Sequence, residues 1–168
     1  MAKRSTNTKN KKQTGTETKE LFPLFGEFDS CYEINEAARG LLMEGDTENL
    51  KKLAKENGLE EEAELYINGT TEELCDPISA ALGKLRMEKK EEDNYLYSDV
   101  ADYLMSNCDD TEFALAVRKK GKRIREAAER ILREAEKHTA EIGGRRCNYC
   151  GPMKGYQLIR EYYREGIR

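Results

Sequence analysis

The chain has 168 residues, of which 38% are apolar, 37% charged and 8% aromatic, with a formal net charge of -4. That length suits one domain or a domain with a tail, and the composition supports a modest core inside a charged shell. No run of about 18 apolar residues occurs, which excludes a transmembrane helix and a membrane partner, and the N-terminus lacks the apolar stretch of a secretory signal, so a cytoplasmic location is expected.

Residues 1–20 are rich in Lys, Thr, Asn and Ser and hold no large apolar side chain after Met1, the composition of a disordered basic arm. The next segment, LFPLFGEF, is the first able to pack. Pro23 and Gly26 favour an extended strap there over a helix. From Ser30 onward helix punctuation is frequent. Ser30 and Glu33 form a capping-box pattern before Ile34, Ala37, Ala38, Leu41 and Leu42, an amphipathic stripe. Gly45-Asp46 ends that helix. Thr47 is the expected cap of the next, with Leu50, Leu53 and Ala54 inward and Asn57-Gly58 as its stop. A short third helix carries Ala63, Tyr66 and Ile67 and ends at Asn68-Gly69.

Asp76-Pro77 reads as a cap followed by a first-turn proline, opening a helix with Ile78, Leu82 and Leu85 inward. The charged stretch Glu88–Asn94 reads as a link, and a helix near Ser98–Asn107 follows. Asp109, Asp110 and Thr111 are cap candidates for a helix with Phe113, Ala116 and Val117, and Gly121 bends it or separates it from its neighbour. The cleanest stripe follows: Ile124, Ala127, Ala128, Ile131, Leu132 and Ala135, with Gly143-Gly144 expected to close that helix. A last helix sets Tyr156, Ile159 and Tyr163 on one face. No alternation of period two persists, so strands are not expected. The expected fold class is all-α: a compact bundle of seven or eight mostly short helices, with residues 21–168 as a single helical domain behind the arm.

Charge divides the chain. Residues 1–20 carry net +4, residues 21–117 net -16 and residues 118–168 net +8. An acidic surface repels nucleic acid but docks on nucleic-acid-binding clefts of other proteins, whereas basic helices can touch phosphates directly. The plainer alternative is that such faces are simply solvated. In the acidic part, Glu60, Glu61, Glu62, Glu64, Glu72 and Glu73 are the candidate partner-binding residues. In the basic part, Arg118, Lys119, Lys120, Lys122, Arg123 and Arg125 form the candidate nucleic-acid patch, for DNA or RNA.

Five cysteines without a secretory signal point to reduced thiols. Cys31, Cys75 and Cys108 read as small buried hydrophobes. Cys147 and Cys150, in C-N-Y-C-G, have the spacing of a zinc knuckle, which supplies two of four ligands. Cys108 and His138 complete the set only if the chain reverses near Gly121; the alternative is two loop thiols without a partner and no cofactor. His138 is the sole histidine and reads as a cation in a helix's last turn. The carboxylates fall in runs that look like solvated faces, among them Glu88, Glu91, Glu92 and Asp93, and no P-loop, GxGxxG, GxSxG or HExxH occurs. No enzyme is expected.

The segment GEFDSCYEINEAARGLLMEGDTENLKKLAKENGLEEEAELYINGTTEELCDPISAALGKL resembles small proteins of Firmicutes mobile elements, as do FALAVRKKGKRIREA and the closing GPMKGYQLIREYY. That group comprises type II-A anti-CRISPR proteins and the PcfK-like proteins of conjugative elements. The resemblance covers about residues 26–165 and rests on helix-boundary patterns. It implies an inhibitor that binds the guide-RNA-loaded type II CRISPR-Cas nuclease and blocks DNA binding or cleavage. It carries over no site residues, and CNYC departs from its pattern. Such a nuclease holds nucleic acid in positively charged channels, which an acidic helical surface fits. The competing expectation is a nucleic-acid-binding accessory protein of a conjugative or phage element, acting through its basic C-terminal helices.

Overall fold

Side chains with short polar tips mark the start of five of the helices. The computed structural model describes residues 21–91 and 94–166; the expected basic arm, with Glu92 and Asp93, lies outside them. Ser30 accepts from the Glu33 N–H and Glu33 accepts in return from the Asp29 N–H, a reciprocal cap that opens α1 (Cys31–Met43). Asp46, not Thr47, caps α2 (Thr47–Glu56), because its carboxylate is the group that reaches the Asn49 N–H, at 3.0 Å. Then α3 (Glu60–Ile67) closes in a Schellman turn: the Gly69 N–H reaches the Tyr66 carbonyl and the Thr70 N–H the Leu65 carbonyl.

Asp76 accepts from the Ile78 and Ser79 N–H groups to open α4 (Pro77–Lys90). Asn94 caps α5 (Tyr95–Asn107), which therefore starts three residues before the expected Ser98. Asp110 caps α6 (Thr111–Arg118), and the turn at Gly121 separates it from α7 (Ile124–Glu136). The last helix, α8 (Pro152–Arg164), begins on a proline. The architecture is all-α in its main body, a compact bundle of eight helices among the described residues. None of them is long and apolar enough to cross a membrane.

The strand-free expectation fails in one place. Gly143-Gly144 does not close α7, which stops at Glu136. The pair forms the two-residue turn of an antiparallel hairpin joining β1 (Thr139–Ile142) and β2 (Arg145–Asn148), with Ile142 opposite Arg145. Both glycines have positive φ, 59° and 77°, the conformation that such a tight turn demands. His138 accordingly sits just beyond α7.

Two apolar clusters share α4. One gathers Ile34, Ala38, Leu50, Leu53, Leu59 and Ala63 from α1 to α3, with Ala80 of α4. The other gathers Val100, Leu104, Phe113, Val117, Ile124, Ala127, Ile159 and Tyr163, with Ala81 and Leu85 of α4. Each fully buried Leu, Ile or Phe contributes about 1.5–3 kcal/mol. On α8 the buried partner of Ile159 and Tyr163 is Tyr162, not Tyr156, which is 43% exposed. The strap is not a helix, but neither is it extended: residues 21–25 bend and turn, and the Gly26 N–H donates to the Phe22 carbonyl at 3.2 Å. Phe22 is its buried anchor, and Glu56 of α2 accepts from the Leu24 and Phe25 N–H groups.

Candidate functional site

The acidic surface is built by α3 and the segment that returns from it. α3 has no side-chain cap at Leu59; three glutamates, Glu60, Glu61 and Glu62, fill its first turn and complement the helix dipole instead. After the Schellman turn the chain runs back to α1, where Asn35 staples it. The Asn35 amide donates to the Cys75 carbonyl at 2.9 Å and accepts from the Cys75 N–H at 3.0 Å, so its side chain acts as a strand edge would. It also donates to Glu73 at 3.3 Å. Leu74 and Cys75 are buried by this fold-back.

The consequence is a groove of about 400 Å³ lined by Glu62 and Leu65 of α3 and by Glu72, Glu73 and Asp76 of the returning segment. Three of the six sequence-derived acidic candidates are thereby brought together. Glu60, Glu61 and Glu64 stand on the exposed surface of the same short helix. Among the described residues none of the six forms an ion pair. Their charge faces solvent.

The basic candidates have a different fate. Arg118 is fully buried, with one guanidinium nitrogen donating to Asn57 Oδ1 at 2.7 Å and the group stacked 5.6 Å from the centre of the Phe22 ring. Lys119 pairs with Asp29 at 2.7 Å, and the same carboxylate accepts from the Lys120 N–H. Arg123 grips Glu27 with both terminal nitrogens, at 2.5 and 2.8 Å, while Glu27 also accepts from the Gly121 N–H. Lys122 donates to the Tyr162 carbonyl and lies over that ring, and Arg125 lies over the Tyr97 ring. Lys120 keeps its side chain at the surface. The cluster is thus largely a clamp for the strap, with carboxylates some 90 residues away in sequence occupying the positions a phosphate would take.

Beneath that clamp lies a buried polar knot invisible in the sequence. Lys84 of α4 reaches Glu27 at 2.8 Å and the Lys119 carbonyl at 2.6 Å. Burial pushes its ammonium down to about 8, against the pull of Glu88 and Glu27. Glu88, read from sequence as part of a solvated link, is buried. It caps α7 from another helix, accepting from the Ile124 N–H at 2.8 Å, and burial pushes its carboxyl up. Arg123, the residue in the cap position of α7, has no side-chain cap of its own to offer, so an anion from α4 serves that helix end.

The four-residue metal set does not assemble. Cys108 is buried as the C-cap of α5, His138 Nε2 lies 3.3 Å from Glu134, Cys147 is exposed on β2 and Cys150, after that strand, is half-buried. Among the described residues no three His, Cys, Asp or Glu groups converge as a metal site. A larger groove, about 940 Å³, runs between α5 and α8, where Tyr103 and Tyr156 stack at 4.3 Å. Its charged groups are engaged, Arg160 with the Tyr103 hydroxyl and Glu165 with Arg130.

Comparison with known proteins places nothing beside this chain: no family model, curated protein or solved structure matches it.

Proposed function

We propose that this protein is a non-catalytic inhibitor that docks its acidic α3 surface in a cationic nucleic-acid channel of the guide-RNA-loaded type II CRISPR-Cas nuclease, in the host cytoplasm, and so blocks DNA binding or cleavage. One observation carries the reading: six glutamates on and beside α3 have no counter-ion among the described residues, three of them rim one groove, and the region from 21 to 117 carries net -16. Uncompensated charge of one sign speeds encounter with an oppositely charged cleft and fixes orientation there. The nucleic-acid-binding alternative draws on Arg118, Lys119, Lys122 and Arg123, whose charged groups are already held by Asn57, Asp29, Tyr162 and Glu27.

The test is DNA cleavage by a purified type II-A nuclease–guide complex with and without this protein, with co-elution followed on a sizing column. Inhibition and co-elution are expected for the native chain, both weakening as salt rises. The triple variant Glu60→Lys, Glu64→Lys, Glu72→Lys is expected to keep its helicity by circular dichroism and lose both. Full inhibition by that variant, or no effect of the native chain on several nuclease orthologues, removes the proposal.

A further inference from the structure

We infer that the β1–β2 hairpin is a contact for duplex DNA: its tip enters the minor groove, and Arg145 and Arg146 grip phosphates on the two walls. Much of the positive charge in the basic end is engaged within the fold. Arg130 pairs with Glu165, Arg133 with Glu129 and Lys137 with Glu134, and Arg160 donates to the Tyr103 hydroxyl. Arg145 and Arg146 are exposed and form no ion pair among the described residues. Their charge is open to a polyanion.

The hairpin's shape selects the partner. Its ladder rises from the end of α7, where the Tyr149 N–H donates to the His138 carbonyl at 3.1 Å, and runs to the Gly143-Gly144 turn. That tip carries no side chains. A bare two-stranded tip is one backbone layer thick, thin enough for a B-DNA minor groove ~6 Å wide. Four residues per strand give it ~13 Å of reach against a groove depth of ~7.5 Å. Consecutive strand residues point to opposite faces, so Arg145 and Arg146, directly behind the tip, set one guanidinium toward each sugar–phosphate wall. Glu141 is opposite Arg146 in the register, yet the two form no ion pair among the described residues. Phosphate contacts carry no base sequence, so preference is limited to groove width and favours A·T-rich tracts, whose narrow minor groove attracts arginine. The hairpin joins α7 to α8, whereas the acidic surface of α3 belongs to the other apolar cluster. The DNA contact therefore stands or falls independently of the inhibitor reading.

The experiment titrates the full chain into a fluorescein-labelled, A·T-rich DNA duplex, without any nuclease, and reads anisotropy. Expected is binding that weakens with salt, with a log–log salt slope that becomes shallower by about 1 for each of Arg145→Ala and Arg146→Ala. Both substitutions together should cost about tenfold or more in affinity at unchanged helicity. Glu141→Gln, which removes the ribbon's carboxylate, should bind more tightly. Netropsin, which fills the minor groove, should displace the protein. Lys51→Ala with Lys55→Ala, at exposed positions of α2, should change nothing. No binding by the native chain, affinity retained in the double arginine variant, indifference to netropsin, or equal affinity for polyglutamate would each overturn the inference.

Discussion

Gly58 and Gly83 meet backbone to backbone: a Cβ on Gly58 would lie 2.6 Å from the Gly83 carbonyl oxygen, and one on Gly83 would fall still closer to the Asn57 carbonyl oxygen. The turn between α2 and α3 is thereby pressed onto the middle of α4. Gly58 adds a φ of 67°, which L-residues adopt at a cost.

Gly83→Ala therefore destabilises the fold by ~2–3 kcal/mol, although alanine is the better helix former, because backbone cannot give way as a side-chain tip can. Gly40, inside α1 with open space around it, is the control. Gly40→Ala stabilises by ~0.5–1 kcal/mol. Urea unfolding midpoints of the two variants should move in opposite directions; a shift in the same direction refutes the close approach.

Glu27 joins the strap to the basic turn, and its titration reports the strength of that joint. Burial pushes its carboxyl up, but the Arg123 hydrogen bonds and the Lys84 charge outweigh it and hold the group at about 2, below its ordinary 4.5. The unfolded chain takes up the proton first as pH falls. The contribution, ~3 kcal/mol, is thus complete above the ordinary value, shrinks as pH drops from there, and is gone below about 2. Glu27→Gln should lose that stability at neutral pH, leaving Glu88 as the one remaining anion beside Lys84 and Arg123 among the described residues. Its stability should also fall less steeply than that of the native chain across that acid range. Parallel curves would show that the joint is weak.

Helix starts were legible because Ser30, Asp76 and Asp110 cap through bonds to their own neighbours in sequence. The hairpin was not, since β2 is exposed along its whole length and so shows no apolar alternation; Gly143-Gly144 was its one signal. Of the candidate sites, the acidic residues of α3 lie close in sequence, and local spacing alone places them on one helix. What brings Glu72 and Glu73 beside them is Asn35, a buried asparagine on the α1 stripe that periodicity treats as a polar interruption. Charge runs misled most. Glu88 sits in a run that reads as solvated, yet it meets a helix N-terminus; Arg123 meets the Glu27 carboxylate and Arg118 the Asn57 amide oxygen, partners that only the folded chain brings near. Long-range pairing of opposite charges leaves no periodic trace in sequence.

Tyr162 and Tyr163 are neighbours with opposite hydrogen-bond status, which gives a paired prediction. The Tyr162 hydroxyl accepts from the Arg123 N–H at 2.9 Å and donates to Glu126 at 2.5 Å, helping to close the N-terminus of α7. The Tyr163 hydroxyl is buried with no partner among the described residues, while its ring meets Phe113 edge-on at 6.4 Å. Removing a satisfied hydroxyl strands its partners, whereas removing an unsatisfied one relieves desolvation and keeps the ring contact. Tyr162→Phe should therefore cost ~1–3 kcal/mol, and Tyr163→Phe should be neutral or stabilise by up to ~1 kcal/mol, both read from chemical denaturation. If Tyr163→Phe proves the more damaging of the two, its hydroxyl has a bonding partner, such as a buried water, and the end of α8 is packed around a polar group.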